Sequence, residues 1–551
     1  MNKIGFQNFR RFLNFPELEY GGITLLVGKN NSGKSTMVKA LLLITDFLKS
    51  SDMSTFSFGN NVLEDTNIVT FKRALNYEAS LRNDDSISFT FQTDEFVVEI
   101  KISGEGDQTS ADVHKVSIYD TIESIEYLIE PKLSNISIIK KHIESGQKTN
   151  STSELVFEIE KVKSQLENSV LKKSSKEYIE LIDIHSTLSN KLLSTSSLQS
   201  IVDNEIEDNT VESLLDPELS NEYNVSTYSK VEGSLDEIFE DAFFSLQTLC
   251  DIENQKFNSE DDVSDNFNNL KNFYIDRNKI DKSINKFIKS LNNLSIIYLG
   301  ANPTKQSALF AIREKNNSLA QAIHEYYQFG IDKTKANPAY VFVKKWMGEE
   351  QFDIGDDFEI KLHAGEAYEV TIKKKNTIVQ LADKGMGSIQ AMLLILRIAC
   401  IIYKKEKQDK NPITLDHQII TFNSGSIVFE DRKKINIVII EEPELNLHPA
   451  LQSRLAELFF EINEKFGIQL IVETHSEYII RKAQVIVAEK DLEVAPNTNP
   501  FSVFYFSEKE IPYKIGFNSD GTLTRNFEKG FYDEASLRAL ELMKINRLKN
   551  A

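Results

Sequence analysis

Cysteine is scarce in the 551-residue sequence: Cys250 and Cys400 are too few for a disulfide framework or a zinc site. No apolar signal segment follows Met1. The most apolar stretch, residues 389–402, is short for a membrane span and contains Arg397, so it predicts a buried helix. These absences predict a soluble, cytoplasmic protein without a membrane partner.

Positive charge is also in deficit, since 63 Lys and Arg against 83 Asp and Glu give a formal net charge of −20. This balance excludes a surface that is basic all over, but it leaves room for a local groove that binds nucleic acid. A hydrophobic content of 41% is typical of a globular protein. The length predicts a large core plus at least one additional module.

Residues 28–36, Gly-Lys-Asn-Asn-Ser-Gly-Lys-Ser-Thr, fit the phosphate-loop pattern G-x-x-x-x-G-K-[ST]. The apolar run 23–27 precedes them and the helix-like run 37–43 follows, whereas a chance match in a glycine-rich turn needs no such context. Glycines let backbone N–H groups converge on phosphate oxygens, where a lysine adds charge and a hydroxyl can ligate Mg²⁺. The predicted nucleotide-binding residues are Gly28, Asn30, Asn31, Ser32, Gly33, Lys34, Ser35 and Thr36, with Ser35 also a predicted metal ligand.

A second apolar run, residues 437–440, ends in the carboxylates Glu441 and Glu442. Consecutive side chains of a strand point to opposite faces, so the two carboxylates cannot share one task. Beside a phosphate loop, one can hold Mg²⁺ while the other orients or deprotonates the attacking water. We assign Glu441 to the metal and Glu442 to catalysis; the alternative is a solvated turn.

His475 follows the apolar strand 468–472. A histidine at this edge of a sheet can contact a γ-phosphate or position water, so we predict a catalytic role, although a single histidine is more often structural. We expect His448 to serve in packing or in a turn. Arg10 and Arg11 lie either near the nucleotide or at a solvated strand end.

The remaining patterns outline the architecture. Residues 3–12 and 15–20 predict a strand pair, as do residues 86–91 and 95–102. From about residue 104 glycine becomes scarce, and helical stripes at 155–170 and 178–192 predict a short helical hairpin. Strands then alternate with helices, which favours a parallel-rich α/β sheet. The predicted units are 1–103 (N-terminal half of a nucleotide-binding domain), 104–293 (a mainly helical insertion) and 294–551 (its C-terminal half).

The phosphate loop, residues 437–447 and Thr474-His475-Ser476 together resemble the ABC-type ATPases related to SMC, RecF and OLD-family proteins. The likeness is strongest to the AAA-like ATPases of bacterial antiphage systems. It implies an α/β fold, an ABC/SMC-like split P-loop ATPase head with a large, mainly helical insertion. It also implies ATP and Mg²⁺ as cofactors and ATP hydrolysis as the reaction.

The family resemblance further implies a signature segment that opens a helix and reaches the nucleotide of a second subunit. Residues 383–388, Asp-Lys-Gly-Met-Gly-Ser, match best, although they depart from the transporter-type Leu-Ser-Gly-Gly-Gln. A homodimer or higher homo-oligomer is then the working unit. The residues implied to contact the partner's nucleotide are Lys384, Gly385, Gly387 and Ser388.

OLD-family proteins carry a nuclease with an Asp-x-Asp cluster, and no Asp-x-Asp occurs after His475. The chain resembles instead the PtuA-type ATPases of Septu defence, which work with a separate PtuB-like HNH nuclease. Some retron operons use the same pair, which adds a retron reverse transcriptase and its RNA/DNA as candidate partners. The alternative is a RecF- or SMC-like DNA-repair ATPase that binds DNA itself, for which the basic runs at 373–375 and 404–407 could serve. A transporter ATPase would need a standard signature segment and docking helices for a membrane partner, and the sequence shows neither.

Overall fold

The computed structural model describes most of the chain, and the predicted helical hairpin at 155–192 lies outside the described part. The described residues are 2–58, 68–140, 223–228, 233–256, 265–300, 307–313, 318–331, 333, 337–410, 421–423, 426–428, 435–490, 499–507, 511–528 and 531–549.

The strands of the described residues follow the alternating and continuous apolar runs of the sequence. In chain order they are β1 (Asn2–Phe9), β2 (Phe12–Tyr20), β3 (Ile23–Gly28), β4 (Thr55–Ser57), β5 (Ser86–Gln92), β6 (Phe96–Ser103), β7 (Ser110–Asp120), β8 (Ile125–Glu130), β9 (Asn135–Lys140), β10 (Tyr223–Tyr228), β11 (Leu294–Leu299), β12 (Phe310–Ala311), β13 (Asp357–His363), β14 (Ala367–Lys374), β15 (Thr377–Gln380), β16 (Thr421–Asn423), β17 (Ser426–Val428), β18 (Ile435–Glu441), β19 (Gln469–Thr474), β20 (Phe501–Phe506) and β21 (Tyr513–Ile515).

Helices alternate with these strands in the C-terminal half, as the sequence predicts. In chain order the described helices are α1 (Lys34–Leu48), α2 (Phe71–Ala74), α3 (Tyr77–Leu81), α4 (Leu235–Lys256), α5 (Asp265–Asn293), α6 (Ser318–Gln328), α7 (Pro338–Met347), α8 (Met386–Lys410), α9 (Pro449–Phe466), α10 (Glu477–Glu489) and α11 (Glu534–Lys549), with short 3₁₀ turns at Pro131–Leu133 and Leu381–Asp383.

The central sheet has the order β11-β18-β19-β3-β20-β21 within the described residues. Its first five strands run parallel, and β21 is antiparallel to β20. The strand before the phosphate loop, β3, therefore lies between two strands from the C-terminal part of the chain. The predicted joining of two distant halves into one α/β fold is confirmed.

Apolar side chains cover both faces of the central sheet, as expected for parallel strands. On β3, Leu26 packs into one core with α1 and the N-terminal sheet. Its neighbours Leu25 and Val27 point to the other face and pack with α8, α9 and α10. Because the strands are buried on both sides, their functional groups lie at the ends.

The second large sheet is antiparallel, with the order β10-β9-β8-β7-β6-β5-β1-β2 among the described strands and β4 beside β7. It continues without a break from β6 to β7, so the predicted unit boundary at residues 103 and 104 falls inside this sheet. The apolar residues of β7 and β8 largely alternate with polar ones, and that pattern gives these strands one buried face and one partly buried face. Helices α4 and α5 provide the helical part of the described region up to residue 293.

The apolar stretch 389–402 lies within α8, whose segment Met386–Lys407 is the one described helix long and apolar enough to cross a membrane. The most apolar window of this segment is 72% buried inside the fold. Arg397 within it bonds Glu325 at 3.0 Å. Burial and pairing identify α8 as a core helix, as the sequence predicts.

Candidate functional site

The phosphate loop connects β3 to α1 through two glycines that tolerate no side chain. A Cβ at Gly28 would lie 2.5 Å from the carbonyl oxygen of Phe506, and one at Gly33 would lie 2.5 Å from the Phe12 ring. Gly33 also has a φ of 103°, in the region that favours glycine. Strand β20 and the β1–β2 turn therefore fix the shape of the loop from outside.

Lys34 begins α1 and points back into the loop. Its Nζ donates to the carbonyl oxygens of Gly28 at 3.0 Å and Lys29 at 2.9 Å. The side chain is 3% exposed, and burial lowers the pKa of this ammonium group. A cation thus lies where the loop backbone converges, as a phosphate-binding lysine requires.

The side chain that contacts Ser35 is Glu473, which is not among the residues predicted from the sequence. The Ser35 hydroxyl donates to Glu473 Oε1 at 3.1 Å, and Lys34 Nζ lies 3.8 Å from the same oxygen. Glu473 is 6% exposed. Burial, and after it the charge of Glu441, raise the pKa of Glu473 to about 7.

The signal for Glu473 was present in the sequence as an acidic residue at the end of an apolar strand. Parallel pairing aligns Glu473 with Leu26 of β3 on one side and with Glu441 of β18 on the other. Because Leu26 lies two residues before Gly28, where the phosphate loop begins, the pairing brings the carboxylate to Ser35. Only the strand order, which the sequence did not reveal, shows this proximity.

Glu441 and Glu442 separate as the strand geometry predicts. Glu441 ends β18 in register with Glu473. Glu442 adopts a φ of 44°, and its N–H donates to the Glu473 carbonyl at 2.8 Å. Its carboxylate lies 3.9 Å from His475 Nε2, and both side chains are about one third exposed. The two predicted catalytic residues are therefore neighbours at the open edge of the sheet.

His475 is held by its backbone rather than by its ring. Its N–H donates to Glu444 Oε1 at 2.6 Å, which ties the loop after β18 to the loop after β19. Burial, and after it the charge of Lys34, lower the pKa of the His475 imidazole. A neutral imidazole can accept as well as donate a hydrogen bond near neutral pH.

His448 is a capping residue, in agreement with its predicted role. Its Nδ1 accepts a bond from the Ala450 N–H at 3.3 Å at the start of α9. Ser476 caps α10 through the Ile479 N–H at 3.4 Å and donates to Gln452 at 2.6 Å. These caps set the directions in which α9 and α10 leave the site.

The signature-like segment packs against the loop after β18. A Cβ at Gly387 would lie 2.6 Å from the carbonyl oxygen of Asn446, so the start of α8 packs against the loop that follows Glu442. Among the described residues, two cavities adjoin the phosphate loop; Lys384, Gly385, Gly387 and Ser388 line neither of them, and Glu441 and Glu442 do not either. Within its own chain, this segment therefore contacts the loop after β18 through Gly387 and Asn446.

One of these cavities, about 410 Å³ in volume, is strongly cationic. Its lining includes Glu473, Tyr77 and five cationic residues, namely Arg10, Arg11, Lys34, Lys39 and Arg73. The two arginines of the β1–β2 turn thus lie at the nucleotide side, one of the two predicted alternatives. Lys39, Arg73 and Tyr77 line the same cavity although no sequence motif marks them.

The second cavity, about 690 Å³, lies on the His475 side of the phosphate loop. Lys29 and Asn30 line it together with His475 and the C-terminal aromatic residues Phe531 and Tyr532. The phosphate loop is thus accessible from two sides. The anion-binding groups lie on the first side and the predicted catalytic histidine on the second.

The groups around Ser35 suit a hard divalent cation. A serine hydroxyl and a buried carboxylate are oxygen donors of the kind that Mg²⁺ prefers. Glu473 Oε2 is buried and has no hydrogen-bond partner among the described residues. The residues present therefore fit Mg²⁺, with Ser35 and the neighbouring carboxylates as the groups that would face it.

Burial also raises the pKa of Glu444, which should make stability depend on pH. The folded protein holds the Glu444 proton more tightly than the unfolded chain does. As pH rises from 4.5 through the raised pKa, the unfolded chain releases this proton first, so the free energy of unfolding falls. Glu444→Gln keeps an acceptor for the His475 N–H without the charge. We expect it to raise the thermal midpoint of the nucleotide-free protein at pH 8, with a gain that shrinks towards pH 4.5.

Glu457→Gln is the matched control with the opposite sign. Burial favours a higher pKa for Glu457, but Arg454 at 2.8 Å and Lys482 at 2.9 Å outweigh it and lower the pKa. This variant should be less stable than the wild type at neutral pH, and the loss should vanish in acid. Identical pH profiles for the two variants would contradict the electrostatic assignment of Glu444.

Comparison with known proteins gives one family and several distant structures. No curated protein matches the chain significantly. An Smc head domain with an extended coiled coil, bound to the C-terminal domain of ScpA, from Pyrococcus furiosus is 12% identical, with a TM-score of 0.32 over 99% of this chain and 100% of that one. The SMC head domain from Thermotoga maritima is 11% identical, with a TM-score of 0.29 over 94% and 98%.

The family model carries the assignment. It is described as AAA ATPase domain, AAA_15, and matches residues 1–480. The matched range includes the phosphate loop, Glu441, Glu442, Glu473 and His475. The chain belongs to the AAA ATPase domain family.

Proposed function

We propose that the chain binds and hydrolyses ATP with Mg²⁺ as the regulatory subunit of a cytoplasmic antiphage complex. The observation that carries the ATPase part is the convergence of Lys34, Ser35, Glu441, Glu442 and His475 at one edge of the sheet. Lys34 binds phosphate, and Ser35 with Glu441 faces the metal. Glu442 orients the attacking water, and His475 contacts the γ-phosphate.

The assembly part of the proposal is a homodimer that closes around ATP. The signature-like segment begins α8, where backbone N–H groups at a helix N-terminus suit a phosphate of another subunit. Gly385 is exposed and Gly387 and Ser388 are partly exposed, which supports a contact with a second subunit. ATP binding then closes the dimer and hydrolysis opens it, a change that another subunit can detect.

The effector in this proposal is a separate HNH nuclease of the PtuB type. The sequence after His475 has no Asp-x-Asp cluster, and the motifs resemble those of Septu ATPases. Where a retron is present, its reverse transcriptase with its RNA/DNA joins the complex. The chain would act as a sensor and switch rather than as the nuclease.

Three lysines of the basic runs that favoured a DNA-repair ATPase contact other residues of the protein. Lys374 pairs with Asp353 at 2.7 Å, and Lys404 pairs with Glu325 at 2.7 Å. Lys405 donates to the Phe466 carbonyl oxygen. These contacts reduce the positive potential available to DNA, so they support the defence proposal over the repair alternative.

The ATPase proposal predicts different outcomes for two variants. Lys34→Ala should lose ATP affinity by about tenfold or more, because hydrogen bonds from a charged group contribute about 1.5–3 kcal/mol each. Glu442→Gln should keep ATP affinity and lose roughly 10²–10⁴-fold in turnover, the usual contribution of a general base. Calorimetry measures the ATP affinity, and phosphate release measures the turnover. Lys344→Ala, on the exposed face of α7, is the control. Unchanged binding and turnover in both variants would refute the proposal.

The dimer proposal predicts ATP-dependent association that requires Ser388. Light scattering should show the Glu442→Gln protein as a dimer with ATP and as a monomer with ADP. Adding Ser388→Arg should abolish dimerisation but preserve ATP binding, because the added side chain blocks a surface outside the chain's own cavities. Thr109→Arg, at an exposed position of the loop before β7, should leave the dimer intact. A dimer that tolerates Ser388→Arg would contradict the contact.

The partner proposal predicts that an HNH nuclease encoded beside this gene co-purifies with the tagged chain. Its cleavage of DNA should change when ATP is added to the wild-type complex, but not to a complex that carries Lys34→Ala. The repair alternative makes the opposite prediction. Tight, salt-sensitive DNA binding by the chain alone, with no associated nuclease, would favour that alternative.

A further inference from the structure

Glu473 occupies a special position in the central sheet. Strand β19 lies between β3, which leads into the phosphate loop, and β18, which carries Glu441. The Glu473 side chain therefore lies between the phosphate loop and the predicted metal ligand Glu441. Of the two aligned carboxylates, the one on the strand next to β3 is Glu473.

One oxygen of Glu473 has a partner and the other does not. Oε1 accepts from the Ser35 hydroxyl at 3.1 Å. Oε2 is buried without a hydrogen-bond partner among the described residues, and the whole residue is only 6% exposed. A buried carboxylate oxygen without a hydrogen-bond partner costs free energy of folding. Such an oxygen calls for an explanation, and a function such as ligand binding is one.

The nearest cation does not satisfy that oxygen. Lys34 Nζ lies 3.8 Å from Oε1 and directs its hydrogen bonds to two loop carbonyls. The charge of Glu441, aligned on the next strand, adds repulsion to the cost of burial. A divalent cation at Ser35 would offset both costs at once, because it attracts both carboxylates.

We propose that Glu473 is a metal-positioning residue whose carboxylate, together with the Ser35 hydroxyl, faces the Mg²⁺ that accompanies the bound triphosphate. This inference rests on the proposed ATPase function and adds a residue to its metal site. Glu441 lies beside Glu473 on the next strand, one strand further from the phosphate loop. In this proposal two carboxylates, each at the end of a buried strand, contribute to the metal site instead of one.

The test measures metal binding directly. Mn²⁺ replaces Mg²⁺, and its free concentration is read by electron paramagnetic resonance with a non-hydrolysable ATP analogue bound to the full chain. Glu473→Gln should weaken Mn²⁺ affinity by about 10–100-fold, as loss of a residue that orients a metal site does. In EDTA the same variant should bind the analogue at least as tightly as wild type, since it lacks a negative charge near the phosphates.

Glu444→Gln is the matched control, because it neutralises another buried carboxylate that contacts the His475 backbone rather than Ser35. It should leave Mn²⁺ affinity unchanged. Should Glu473→Gln not fold, Glu473→Asp keeps the charge on a shorter side chain and should show a smaller loss. Wild-type Mn²⁺ affinity in the folded Glu473 variant would overturn this inference alone, whereas a wild-type protein that binds no analogue would overturn the proposed function.

Discussion

The site depends on the parallel pairing of β3 with β19, two strands whose residues are separated by most of the chain. The pairing aligns Leu26 with Glu473 and Val27 with Thr474, directly beside the start of the phosphate loop. A shift of one residue would turn the Glu473 side chain to the opposite face of the sheet. Ser35 would then lose its partner, so the register of this pair determines the geometry of the site.

The two apolar cores maintain that register. Leu26, Ile439 and Ile471 pack towards α1 and the antiparallel sheet. Their neighbours along the strands, including Val438 and Val472, pack towards α8, α9 and α10. Because a slipped strand would exchange these two sets, the register is specified by packing on both faces at once. The halves of the chain can thus be far apart in sequence and still form one site.

Much of this arrangement could be predicted from the sequence, and the missing part has a physical explanation. The phosphate loop, the apolar strand before Glu441 and the helix 449–466 are local patterns, and the structure contains them. The order of the strands is not a local property, so the proximity of Glu473 to Ser35 could not be predicted. The extension of the antiparallel sheet past residue 103 was missed because composition suggested an insertion, whereas the alternation in β7 and β8 builds strands.

The charges around the phosphate loop explain why the proposed ligand is a metal–nucleotide complex. Five cationic side chains line the cavity on the Arg10 side, with Glu473 as its carboxylate. The end of β18 on the other side presents Glu441 and Glu442. A metal ion alone would meet the nearby cations, and a bare triphosphate would meet the carboxylates. A triphosphate that carries Mg²⁺ presents negative charge to the cationic side chains and positive charge to the carboxylates. Binding of the phosphates therefore favours binding of the metal, and binding of the metal favours binding of the phosphates.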